Sequence, residues 1–468
     1  MTKAVYSLAD IQQHNLPNNA WTVIDGNVYD ISGFLDCHPG GSTILHAVGK
    51  DATIEYFSHH APRADTVLNK FKIGQLLTNE STTIRADDTY LRLRQEVYDW
   101  LKLNAHHVNK SVQKYNFVIT TIILVYFAAM CSLVRGSIFP LIFWGFFEGA
   151  WRTAVHSAGH RGMFPINWIF GNLLATPKYL SNAEEQDSYF WLKPHVIDHH
   201  SNAGTAKDHE KYFLTAFRVR PDTKSFYFHS FQSSWCYWLM FPFIMEPAVV
   251  LLTCLQRTNQ LAKHICDLFR ANILATVKLQ RALWSSLALL FTCFHPSPLV
   301  FLIFRFEAPV AGFALVLHII FKYHFFGIYY ADHMAHATNT DWARPPNTLT
   351  GRTSNATSLQ VAPGTNHLLS LLLIACCSGF SMYHIEHHMF PTLHPAVYPL
   401  ISPIVETHMG RAHVPYEKFH YIFPLGCLTY YKQLRLIIHQ VEAVNGHQQP
   451  EPTDFDFFIE MLHAFRAI

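Results

Sequence analysis

The stretch Tyr383-His384-Ile385-Glu386-His387-His388-Met389-Phe390-Pro391 constrains this chain more than any other. On a helix its three imidazoles, at i, i+3 and i+4, project from one face, one turn apart. Two earlier clusters repeat the theme: His156 and His160 at i, i+4, then His195, His199 and His200 at i, i+4, i+5. Eight histidines in three clusters, set among membrane-length apolar runs, need a metal to justify them. Imidazole suits iron, zinc and copper, and a set this large can hold more than one ion.

The bulk composition gives these clusters a membrane setting. Half the residues are hydrophobic and 15% are charged, against about 25% in soluble proteins. A net charge of +2 without a basic stripe excludes a nucleic-acid partner. The nine cysteines form no CxxC pair, and Cys376 and Cys377 are adjacent. They read as reduced thiols packed as small apolar groups. The opening Met1-Thr2-Lys3-Ala4-Val5-Tyr6 lacks the layout of a signal peptide. The first domain is therefore expected on the cytosolic side.

Residues 1–80 are soluble in composition. Trp21 to Ile31 reads as two strands around a turn at Asp25-Gly26. Then follow Phe34-Leu35-Asp36-Cys37-His38-Pro39-Gly40-Gly41, an amphipathic stretch to Phe57, and His59-His60. Two histidines this far apart, flanked by Phe34, Leu45 and Phe57, suit axial ligation of haem iron from both sides. The His-Pro-Gly-Gly run, Val28-Tyr29-Asp30-Ile31, Gly49-Lys50-Asp51-Ala52-Thr53 and Lys72-Ile73-Gly74-Gln75-Leu76 resemble a cytochrome b5 domain. The resemblance implies haem b with His38 as one axial ligand. The second is His59 or His60, and counting back from Ala64 and Ile73 favours His60. With both axial positions filled, the domain carries electrons.

Residues 81–115 read as a linker and an interfacial helix with Leu91, Leu93, Val97 and Leu101 on its apolar side. Phe117 to Leu133 approaches the length a bilayer needs, and Phe139 to Trp151 reads as its returning span. Met163–Tyr179 reads as in-plane or re-entrant. Of Tyr237–Leu255, Leu283–Phe304 and Ala308–Ala331, two spans and one interfacial helix keep all the clusters on one face, giving about four transmembrane helices. His333 and His336 follow at a span's end, and His333 is a candidate ninth ligand. His318 and His324, inside an apolar helix, are functional candidates by position. Leu368–Cys377 reads as a short apolar helix, and the tail from about 411 carries no motif.

Over roughly residues 115–425 the three clusters resemble the His boxes of the membrane fatty acid desaturase superfamily. The run Glu386-His387-His388-Met389-Phe390-Pro391 is the most specific match. The fusion to a haem domain resembles front-end desaturases, and also the cytochrome b5-related proteins. Two departures favour the latter branch. His384 stands where front-end enzymes usually have glutamine. Val196, Ile197 and Asp198 put three residues, rather than two, before His199.

The fold this implies is an α+β cytochrome b5-like haem domain followed by an all-α integral membrane desaturase domain (116–425) and a cytosolic tail (426–468). By the resemblance, His156, His160, His195, His199, His200, His384, His387 and His388 ligate two non-haem iron ions. The activity implied is oxygen-dependent desaturation of a lipid acyl chain, with electrons from the fused haem. A hydroxylase using the same irons and a non-catalytic electron-transfer protein are the alternatives. The implied partners are the lipid substrate, molecular oxygen and an NADH-dependent cytochrome b5 reductase. The implied location is the endoplasmic reticulum membrane, with the haem domain and His boxes facing the cytosol.

Overall fold

The computed structural model describes residues 4–77, 86–134, 150, 153–154, 156–157, 160, 192–200, 203, 262, 348–350, 358–361, 366–376, 381–416 and 418–421. Within them, two bodies are packed on either side of one helix.

The N-terminal body is built on a five-stranded sheet, ordered β1-β5-β4-β3-β2. The strands are β1 (Val5–Tyr6), β2 (Asn15–Leu16), β3 (Asn19–Ile24), β4 (Asn27–Asp30) and β5 (Lys72–Leu76). β1 runs parallel to β5, and the other neighbours are antiparallel. The expected turn is there: Asp25 and Gly26 both take positive φ, at 49° and 71°. This is the paired left-handed geometry that closes a two-residue hairpin. The register it sets pairs Val23 with Val28 and Thr22 with Tyr29. Side chains alternate across a strand, so Val23 and Val28 join Ile11 and Leu76 under one face. Ala20, Ile24 and Tyr29 join Leu35, Ile54 and Phe57 on the other. Helix α1 (Leu8–Gln13) is started by a Ser7/Asp10 capping box. On the crevice face sit 3₁₀ turns at Ser32–Cys37 and Gly41–Ala47, with helices α2 (Thr53–His59) and α3 (Arg63–Leu68).

Helix α4 (Asp88–Leu103) begins at an Asp87 N-cap and buries Tyr90, Leu93, Arg94 and Val97, one stripe at i, i+3, i+4 and i+7. The expected apolar side is only partly right. Leu93 and Val97 are buried, Leu91 and Leu101 are partly buried, and the stripe is completed by an arginine and a tyrosine. α5 (Ala105–Val134) follows directly. The C-terminal body adds α6 (His367–Cys376), α7 (His384–Met389) and α8 (Tyr398–Arg411). The apolar core is continuous from Phe57, through Tyr90, to Phe390 and Tyr398.

One feature departs from the all-α expectation. Strands β6 (Ser358–Val361) and β7 (Lys418–Tyr421) pair in parallel. Period-two alternation puts Ser358 and Gln360 on one face of β6, where both are buried. The pairing therefore carries polar side chains inward that a helix of four residues would spread around its circumference.

The Phe117–Leu133 run lies within α5, and Leu368–Cys376 lies in α6. Counting the described residues, no helix is long and apolar enough to cross a membrane. Apart from Ala150, the other expected spans lie outside the described residues, as do His318, His324, His333 and His336.

Candidate functional site

Two histidines face each other across the N-terminal crevice. His38 follows the first 3₁₀ turn and His60 caps α2, with ring centroids 6.0 Å apart. Two metal–imidazole bonds of about 2 Å each plus the ring radii span roughly this gap, so one ion fits between them. His60 Nδ1–H donates to the Tyr56 carbonyl at 2.9 Å, which leaves Nε2 for a metal. Burial pushes the His60 pKa down to about 4, so its lone pair is held unprotonated at neutral pH. Phe34 lies edge-on to His38 and packs on Phe71. Gly40 is needed here, because a Cβ would meet the His38 ring at 2.4 Å. Of the two candidates, His60 faces His38. His59 turns its ring the other way, toward His160, at a centroid separation of 6.5 Å.

The three histidine clusters converge. All eight imidazoles are buried, none more than 7% exposed. His156 and His160 are one helical turn apart, with the His160 N–H donating to the His156 carbonyl. His384, His387 and His388 come from α7, whose six residues are all buried.

The second cluster explains its own spacing. Leu192–His199 is wound as a π-helix. Its i→i+5 closure needs roughly 4.4 residues per turn, so positions i+4 and i+5 straddle one turn as i+3 and i+4 do on an α-helix. The additional residue between His195 and His199 is thereby absorbed, and the same three-imidazole face is kept.

Two groupings result. The ligand atoms of His156, His160, His195 and His387 all lie within 4.8 Å of one another. Nε2 of His156 is 2.8 Å from Nε2 of His195. Neighbouring ligands on one ion sit about 3 Å apart when the bonds are about 2.0–2.1 Å. In the second group the His388 ring lies 4.4 Å from His200, 4.7 Å from His384 and 5.0 Å from His199. His200 stands between the groups, 4.6 Å from His160 and 4.8 Å from His387. Both its ring nitrogens are buried without a hydrogen-bond partner among the described residues. Burial, followed by the neighbouring histidines, drives its pKa well down. Neutral buried imidazoles with their nitrogens turned on one another fit a metal-binding set.

Behind these rings is a layer that periodicity and motif spacing did not reveal. The Tyr398 hydroxyl donates to the Phe390 carbonyl at 3.3 Å and accepts from His387 Nδ1–H at 3.2 Å. Glu386, fully buried, receives hydrogen bonds from Ser358 and Tyr416. Burial lifts its pKa, and the hydroxyl donors pull the other way. Gln360 donates to Ser402 and Tyr416, closing a network that joins β6, α7 and α8. On the crevice side, Arg94 donates twice to the His60 carbonyl, at 3.1 and 2.8 Å, and pairs with Asp65. The Tyr90 hydroxyl reaches both the Phe57 and Met389 carbonyls, at 3.1 and 3.0 Å. No sequence signal marks these groups, since each acts through a partner distant in the chain.

Residues 7–77 match the family model described as cytochrome b5-like heme/steroid binding domain, and residues 133–420 match fatty acid desaturase. The acyl-lipid (8-3)-desaturase of Physcomitrium patens is 25% identical over 459 residues, covering 88% of this chain and 87% of its own. The probable Delta(5) fatty acid desaturase C of Dictyostelium discoideum is 23% identical, with 86% and 89% covered. A cytochrome b5 of Cuscuta reflexa is 37% identical over 97 residues, covering 20% of this chain and 70% of its own.

Proposed function

We propose, from the premise that this chain belongs to the fatty acid desaturase family and is a fatty acyl oxidoreductase, that it desaturates a lipid acyl chain at a pair of irons fed by its own haem. The observation that carries this is the convergence of eight buried imidazoles, four of them with ligand atoms within 4.8 Å of one another, beside a haem-type crevice on the same chain. Insertion of a double bond removes two hydrogens from adjacent carbons while one oxygen molecule, two electrons and two protons become two waters. Bound iron supplies the oxygen activation this requires.

In this reading His38 and His60 hold haem b. His156, His160, His195 and His387 hold one iron, and His199, His200, His384 and His388 the other. His333 is proposed as a further ligand from outside the described residues. Tyr398 keeps the His387 proton on Nδ1, leaving Nε2 for the metal. The Glu386–Ser358–Tyr416 network fixes the rotation of α7, and burial excludes water from the centre. Exposed Phe117, Leu124 and Val125 on α5, with Leu368 and Leu369 on α6, give the body an apolar exterior suited to lipid. A membrane of the endoplasmic reticulum, with an NADH-dependent cytochrome b5 reductase as the donor, completes the proposal.

The test is iron per haem in the detergent-purified protein, together with the lipid profile of expressing cells. About three irons per chain are expected, one in haem and two on imidazoles, falling to about one in the His387→Ala/His388→Ala variant while the haem band persists. A new alkene in the acyl pool supports desaturation. A hydroxylated chain in its place, or one iron per haem in both proteins, overturns it.

A further inference from the structure

We infer that His59 is the electron bridge between the haem crevice and the non-haem centre, an inference that rests on the function proposed above. His59 and His60 are consecutive residues at the end of α2, yet their rings diverge. His60 turns into the crevice opposite His38, while His59 faces His160, 6.5 Å away and within 25° of parallel. His160 belongs to the histidine centre, 4.6 Å from His200 and 4.8 Å from His387. One peptide unit therefore joins an imidazole of the haem crevice to an imidazole that faces the other centre.

Both ends of this bridge are held. His59 Nδ1–H donates to the Glu55 carbonyl at 2.8 Å, which fixes the ring plane. Arg94 grips the His60 carbonyl from α4, so the end of α2 cannot swing. Electron transfer favours covalent and π-bridged paths over gaps through space, and this path has a single through-space step. A second connection runs through the rings of Phe57, Tyr90 and Phe390, with centroid separations of 6.3 Å at each step. It needs two such steps and ends on a residue outside the centre. With both groups bound, the transfer assigned to His59 would move one electron from ferrous haem, held by His38 and His60, to one ferric iron held by the imidazoles. Two such transfers would serve one turnover, with the NADH-dependent cytochrome b5 reductase restoring the haem after each.

The experiment uses the full-length holoprotein with bound acyl substrate. The haem is reduced by a photochemical flash in anaerobic protein whose non-haem irons are ferric, and decay of the ferrous haem band is followed. The wild type is expected to show a fast phase that the His387→Ala/His388→Ala variant lacks. His59→Leu slows that phase by at least an order of magnitude, with iron content, haem band and haem midpoint potential unchanged. His59→Phe, which returns an aromatic ring, recovers much of the rate. A wild-type rate in His59→Leu overturns the bridge, as does loss of non-haem iron in that variant, which would make His59 a ligand. A slow phase carried instead by Tyr90→Leu alone assigns the path to the tyrosine and overturns it too. If the wild type has no fast phase, the oxygen-dependent function itself falls, and the bridge with it.

Discussion

His387 enters the centre in one tautomer because the Tyr398 hydroxyl, already committed as a donor to the Phe390 carbonyl, can only accept from Nδ1–H. Tyr398→Phe keeps the ring and removes that restraint. Outer partners of ligand imidazoles are worth about 10–100-fold in metal affinity. The variant should therefore release non-haem iron to a chelator at correspondingly lower concentration, with the haem band unaltered. His394 makes a different residue-scale prediction. Its Nε2–H donates to Asn116 and its Nδ1 accepts from the Ala396 N–H, both at 3.1 Å, and burial pushes its pKa down from 6.5 to about 3. The folded protein thus refuses a proton that the unfolded chain accepts. The stability His394 contributes is present above pH 6.5 and is lost as the pH falls from there toward about 3. Thermal midpoints measured across that window should fall more steeply for the wild type than for His394→Gln. Equal slopes would show that His394 does not set the acid limb.

At the scale of elements, α4 joins the two bodies, and it shows where the sequence was readable. Leu93 and Val97 sit at helical spacing, so the apolar period alone marks them. Arg94 lies on the same stripe, but a hydropathy pattern places a guanidinium outside. Its burial depends on Asp65 and the His60 carbonyl, about thirty residues upstream. The same contrast holds around the histidine centre. The histidine clusters and the Asp25-Gly26 turn are local chemistry and were legible. Tyr398, Tyr416, Ser358 and Gln360 matter through partners that only folding brings near. The π-helix at Leu192–His199 lies between these cases. The additional residue was visible in the sequence, but the winding that absorbs it was not. Arg94→Ala strips charged hydrogen bonds from the end of α2 and should cost about 2–3 kcal/mol. This would be read as a lower midpoint for loss of the haem band on heating. An unchanged midpoint would mean that α4 merely lies against the crevice.

Across the whole molecule, the continuous core from Phe57 through Tyr90 to Phe390 implies that haem crevice and metal centre unfold together. Tyr90 bonds to carbonyls on both sides, at Phe57 and Met389, and His59 faces His160. A ligand that binds only the folded state stabilises the whole cooperative unit to which its site belongs, by about 2.7 kcal/mol at a hundredfold excess over Kd. Iron on the imidazoles should therefore protect the haem body as well as its own. Removing the non-haem iron with a chelator that leaves haem in place should lower the temperature at which the haem band is lost. For a cooperative unit larger than 250 residues the shift is below roughly 2–4 °C per kcal/mol. Tyr90→Leu, which removes both the hydroxyl and the ring joining Phe57 to Phe390, should shrink that shift by loosening the coupling. If stripping the metal leaves the haem transition in place, the two bodies fold independently. The contact between them would then be a docking surface rather than a shared core, and electron delivery would depend on how often the haem body is seated.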